Sequence, residues 1–118
     1  MNHLVLVVDI QGRIDQEGLE RLRANLSLKK QGRLTDDWDQ EFGHRRITRS
    51  SGAYSSVGLF RNFDGSWKVQ VTDTEELDPS NTDIASLRSE LVAGITKSGY
   101  QATVRAKPTF GAAPRDRD

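Results

Sequence analysis

The side chains with the most to offer chemically are carboxylates. Thr35-Asp36-Asp37-Trp38-Asp39-Gln40-Glu41-Phe42 sets two large aromatic rings among four acids, and His44-Arg45-Arg46 follows at once. Acids at this density could complement a basic cleft on another protein, with an aromatic ring as the buried anchor. The plainer reading is a surface loop that tucks Trp38 and Phe42 into the core and leaves its acids in water. Both can hold together, so Asp36, Asp37, Trp38, Asp39, Glu41 and Phe42 are the candidate partner-binding residues.

A second acidic group, Asp73, Glu75, Glu76 and Asp78, offers general acid and base chemistry in principle. No apolar surrounding that would hold a carboxyl proton near neutral pH is expected there, so solvated loop charge is the expectation. The two histidines, His3 and His44, have no second ligand at helix-turn or cross-strand spacing, and no metal is expected. Ser50, Ser51, Ser55 and Ser56 lack a Gly-x-Ser-x-Gly elbow and read as turn and edge-strand residues. Gly52, Gly58 and Gly65 do not open a helix after a strand in phosphate-cradle spacing, so no cofactor is expected either. Gly58 is read as room opposite Val71, or as a bulge.

Composition narrows the classes further. In 118 residues, seventeen Lys and Arg balance seventeen Asp and Glu, so no whole-molecule field draws nucleic acid or an anionic membrane. Cysteine is absent, which removes thiolate chemistry and fits a reducing compartment, the cytoplasm by default. The apolar run Leu4 to Val8 is too short to span a bilayer and lacks the flanks of a signal peptide. A single domain over 1–107 with a flexible tail over 108–118 is expected.

These groups must be positioned by a small set of elements. His3 to Ile10 is apolar on both alternate sets and reads as a central strand. Asp15 can cap a helix with Leu19, Leu22 and Leu26 on one face and Gly32 near its end. Arg45 to Arg49 can form a short edge strand around Ile47. Pro79-Ser80-Asn81-Thr82-Asp83 supplies cap candidates for a second helix carrying Ile84, Leu87, Leu91 and Ile95. Tyr100, Ala102, Val104 and Ala106 alternate into a last strand that Pro108 stops.

Between the helices lies a β-hairpin turning at Asp64-Gly65. A two-residue loop pairs Phe63 with Ser66, Asn62 with Trp67, Phe60 with Val69 and Gly58 with Val71. One face then collects Phe60, Trp67, Val69 and Val71 for the core, and the other shows Arg61, Lys68, Gln70 and Thr72. The expected fold is an α+β two-layer sandwich, a four- or five-stranded antiparallel or mixed sheet with two helices on one face. The order β-α-β-β-α-β allows a ferredoxin-like topology. An RNA-binding platform needs aromatics on the open face, and this register puts them in the core.

The strand Val57-Gly58-Leu59-Phe60, the Asp64-Gly65 turn, the strand Trp67 to Asp73 and the helix from Asp83 through Ile95 make up about a third of the chain. In this pattern the chain resembles the small immunity proteins encoded beside polymorphic toxins of the Rhs type, associated with type VI secretion. The group it resembles neutralises ADP-ribosyltransferase toxins acting on elongation factor Tu. The resemblance implies a non-catalytic cytoplasmic protein that forms a heterodimer with a cognate toxin and occludes its active site. The rivals are a small adaptor or oligomeric accessory domain, and a small ferredoxin-like enzyme.

Overall fold

The computed structural model describes residues 2–78 and 80–110. Pro79 and residues 111–118 of the expected tail lie outside the described residues. In chain order the elements are β1 (His3–Gln11), α1 (Gln16–Asn25), β2 (Lys29–Lys30), β3 (Glu41–Thr48), β4 (Tyr54–Arg61), β5 (Trp67–Asp73), α2 (Thr82–Lys97) and β6 (Gln101–Val104). The strands form one antiparallel sheet in the order β2-β3-β4-β5-β1-β6. Both helices pack on one face, where Leu19, Leu22, Ile84, Leu91 and Ile95 meet Leu6, Val8, Val57, Leu59, Val69 and Val71 in one apolar core.

The two-layer α+β class is therefore as expected, but the sheet has six strands rather than four or five. The element order is β-α-β-β-β-β-α-β because the charged stretch after α1 supplies two extra strands. The short edge strand expected at Arg45 to Arg49 is the eight-residue β3, itself flanked by β2. Four strands stand side by side as β6-β1-β5-β4, and β3 and β2 extend that row. Lysines at 29 and 30 form the outer strand, where charge discourages further pairing.

The helices start where the caps direct. The Asp15 carboxylate accepts from the Gly18 amide at 2.8 Å, and the Asn81 side chain accepts from the Asp83 and Ile84 amides. Helix α1 stops well before Gly32, because Ser27 takes a left-handed φ of 57°. The Leu28 amide then donates to the Arg23 carbonyl at 2.8 Å, which closes the last turn. The helices meet at Gly94, where an added Cβ would fall 2.6 Å from a Leu26 methyl and 2.9 Å from the Asn25 carbonyl oxygen.

The hairpin differs from expectation by one residue. Arg61 pairs with Trp67, Phe60 with Lys68, Leu59 with Val69 and Val57 with Val71. The loop has three residues, Phe63, Asp64 and Gly65, closed by Asn62 N–H to the Ser66 carbonyl at 2.7 Å and Gly65 N–H to the Asn62 carbonyl at 2.9 Å. Gly65 sits at φ 88°, the left-handed step that such loops add after a type I turn.

One extra loop residue exchanges faces along β4, since side chains alternate. Trp67 stays in the core at 5% exposed, as expected, whereas Phe60 moves to the helix-free face. Arg61 crosses the other way and joins the Trp67 side. Gly58 does leave room, but for its neighbour: an added Cβ would lie 2.4 Å from the Phe60 ring. Lys68, expected in solvent, is buried on the helix-free face, where burial and then Arg105 lower its pKa.

Candidate partner-binding surface

Two arginines from opposite elements shape the acidic segment. Arg23 on α1 donates from Nε to the Phe42 carbonyl and from Nη2 to the Gln31 carbonyl, both at 2.8 Å. Arg61 at the end of β4 donates to the carbonyls of Leu34, Asp36 and Asp39 at 3.1, 2.8 and 3.2 Å, and its amide donates to the Gln40 carbonyl at 2.8 Å. Its guanidinium carbon stands 4.8 Å from the Phe42 ring centroid and 5.8 Å from that of Trp67. A planar five-donor group suits this task, stacking on aromatics while reaching several carbonyls.

Both arginines bind the loop by its backbone and leave the carboxylates of Asp36, Asp37 and Asp39 to other work. The Asp39 carboxylate accepts from the Arg33 amide at 2.6 Å and that of Asp36 from the Trp38 amide at 2.9 Å, two local bonds that stiffen the turn. Among the described residues, no Lys or Arg side chain forms an ion pair with Asp36, Asp37 or Asp39. The loop therefore presents three carboxylates without ion pairs, with the Arg61 guanidinium bonded to its backbone.

The six expected binding residues do not stay together. Phe42 is 0% exposed, its ring 5.0 Å from Trp67, because a bulge between Glu41 and Gly43 removes it from the ladder and directs it into the core. Glu41 pairs with Phe60 on the helix-free face and accepts from the Gln31 side chain at 2.9 Å. Asp36, Asp37, Trp38 and Asp39 share the loop's outer side, and Trp38 is 89% exposed. The expectation that both aromatics would tuck inward fails for Trp38 and holds for Phe42.

Sequence reasoning missed Phe63, and it placed Arg61 with Lys68 and Gln70 on an open sheet face, a possible second contact surface, where the structure puts Arg61 on the Trp67 side. Phe63, placed in the ladder by the two-residue loop, stands at the hairpin tip and is 92% exposed. It lines a groove of about 340 Å³ with Asp37, Asp39, Gln40 and Arg61, so the hairpin tip and the acidic loop border one concavity. A three-residue loop ending in glycine is the signal that would have found it.

The second acidic group is not simply solvated. Asp73, its side chain 0% exposed, takes both ends of the Arg49 fork at 2.8 Å and a close hydrogen bond from the Ser55 hydroxyl, while Arg49 also reaches Glu75 at 2.9 Å. Burial pushes the Asp73 pKa up, but Arg49, Ser55 and the Glu75 amide outweigh it and hold the carboxyl at about 2. A carboxylate so held resists taking a proton near neutral pH. Arg49 is raised by the same bonds.

His44 lies opposite Gly58 on the helix-free face, and His3 pairs with Asp73 at the far end of β1. Among the described residues no group of three His, Asp or Glu side chains gathers in a metal-holding arrangement. Among them, too, no helix is long and apolar enough to cross a membrane. Comparison with protein-family models, with curated proteins and with solved structures finds no match to this chain.

Proposed function

We propose that this chain is a non-catalytic immunity protein that binds a toxin domain and blocks its active-site cleft. The observation that carries the reading is Trp38, a large apolar ring held in water on a loop whose backbone Arg61 hydrogen-bonds and whose two ends Arg23 joins. Exposing an indole has a cost, and a loop backbone already bonded in place reduces the ordering needed on binding. Carboxylates on either side, free of ion pairs among the described residues, suit a basic partner.

The finer reading names the toxin class. An ADP-ribosyltransferase must hold an anionic dinucleotide, so its cleft is basic and fits an acidic loop with an aromatic wedge. The strand, turn, strand and helix pattern over residues 57–95 supports the same assignment by resemblance. The test is coexpression with the toxin domain encoded beside this gene. Copurification and rescue of growth are expected, and both should fail for Trp38→Ala combined with Asp37→Lys. Full protection by that double variant, a neighbourhood free of toxin genes, or turnover of a metabolite by the purified chain would each overturn the proposal.

A second reading, an oligomeric adaptor, is favoured by β6. This four-residue edge strand, Gln101-Ala102-Thr103-Val104, carries no charged side chain, unlike β2 at the other edge. Such an edge can pair with another chain. A concentration-dependent mass in solution, abolished by Ala102→Pro, which removes an N–H on the outer edge of β6 and spares the Asp9–Thr103 pair, would support it.

A further inference from the structure

We infer that Phe63 at the β4–β5 hairpin tip and Trp38 on the acidic loop form one two-ring docking surface for a cationic segment of a protein partner. The inference rests on the binding role proposed above and adds to it the second anchor and the chemistry of what is bound. Both rings are almost wholly exposed, and each belongs to a different element. The groove beside Phe63 is also lined by Asp37 and Asp39, the residues on either side of Trp38.

Arg61 ties the two elements together. It ends the strand that leads into the hairpin tip, and it donates three hydrogen bonds to the loop that carries Trp38. Its amide joins the same loop at Gln40. Arg61 is thus a positioning residue for both rings.

Charge selects the occupant. Asp37 and Asp39 line the groove with no ion pair among the described residues, and against their two negative charges the groove sets the single guanidinium of Arg61, whose donors go to carbonyls. A guanidinium or ammonium group entering the groove finds Asp37, Asp39 and the exposed Phe63 among the residues that line it. Both attractions favour a cation and oppose an acidic segment.

The experiment titrates the full chain with a short peptide alternating arginine and glycine, and with a control carrying glutamate in place of each arginine, followed by proton–nitrogen correlation spectra. Saturable shifts are expected for the Trp38 indole N–H and the Phe63 and Asp37 amides with the arginine peptide, fading as salt is raised. The buried Trp67 indole N–H is the internal control and should not move. Phe63→Ala should weaken binding about tenfold with the remaining spectrum unchanged.

Equal binding of the glutamate peptide, or unchanged affinity in Phe63→Ala, would overturn the inference. The two proposals separate cleanly. A toxin domain captured equally by the native chain and by Phe63→Ala removes the hairpin anchor and leaves the immunity role. Arginine-peptide binding through both rings, with no protection against any neighbouring toxin, keeps the surface and removes that role.

Discussion

Arg61 lies directly across the β4–β5 ladder from Trp67, with its guanidinium carbon 5.8 Å from the indole centroid and 4.8 Å from the Phe42 ring. That pairing joins the core to the acidic loop. One face of the guanidinium meets aromatic rings, and its edge reaches three loop carbonyls.

Removing that group should loosen the loop before it loosens the sheet. Arg61→Ala is expected to cost about 2 to 3 kcal/mol in urea unfolding, the scale of charged hydrogen bonds plus a stacked cation. Amide exchange should speed up most over residues 34–40. Arg61→Lys should restore less than half of the loss, since an ammonium cannot fork between carbonyls while lying flat on a ring.

The two aromatics of the acidic segment should separate in energy. Phe42→Ala should cost about 3 to 5 kcal/mol, because it empties a closed site against Trp67. Trp38→Ala should change stability by no more than about 0.5 kcal/mol, as expected of an exposed ring. Equal costs for the two, measured by thermal or urea unfolding, would contradict the split of this segment between core and surface.

Hairpin register has its own test. Trp67→Ala should cost about 3 to 5 kcal/mol, whereas Phe60→Ala, on the helix-free face over Gly58, should cost about 1 kcal/mol. The register with a two-residue loop would make both losses large. Deleting Gly65 should destabilise the hairpin, because the remaining loop residues would have to form the primed turn that this sequence does not adopt.

Acid should weaken the fold through Asp73. Its pKa of about 2 lies below the ordinary 3.8, so the unfolded chain binds its proton first as pH falls. The stabilisation is complete above about pH 4 and is lost as pH drops through 2. Asp78, lowered by the Ser80 hydroxyl and amide, acts in the same direction, though its exposure makes its share small. Asp73→Asn should flatten the acid limb of the stability curve and cost about 3 kcal/mol at neutral pH, since Arg49 keeps only Glu75 as its charged partner.

How much of this was legible depends on how far each interaction reaches along the chain. The stripe Ile84, Leu87, Leu91 and Ile95, the caps at Asp15 and Asn81, and the alternation around Val69 and Val71 are written in residues a few positions apart. Helical and extended periods expose such patterns to direct reading. The sequence alone therefore determined the α+β class, both helices, the place of the hairpin turn and the burial of Trp67.

Tertiary structure decided which face Phe60 and Arg61 occupy, because a single added loop residue reverses every side chain along β4. That choice is supported by Phe42, nineteen residues before Arg61, with which Arg61 stacks. It also decided that β2 and β3 extend the sheet, that Trp38 stays in water while Phe42 enters the core, and that Phe63 borders the acidic loop. Those outcomes depend on arginine side chains bonding to distant backbone carbonyls, and a carbonyl belongs to every residue. No residue type or spacing marks which carbonyl will be chosen.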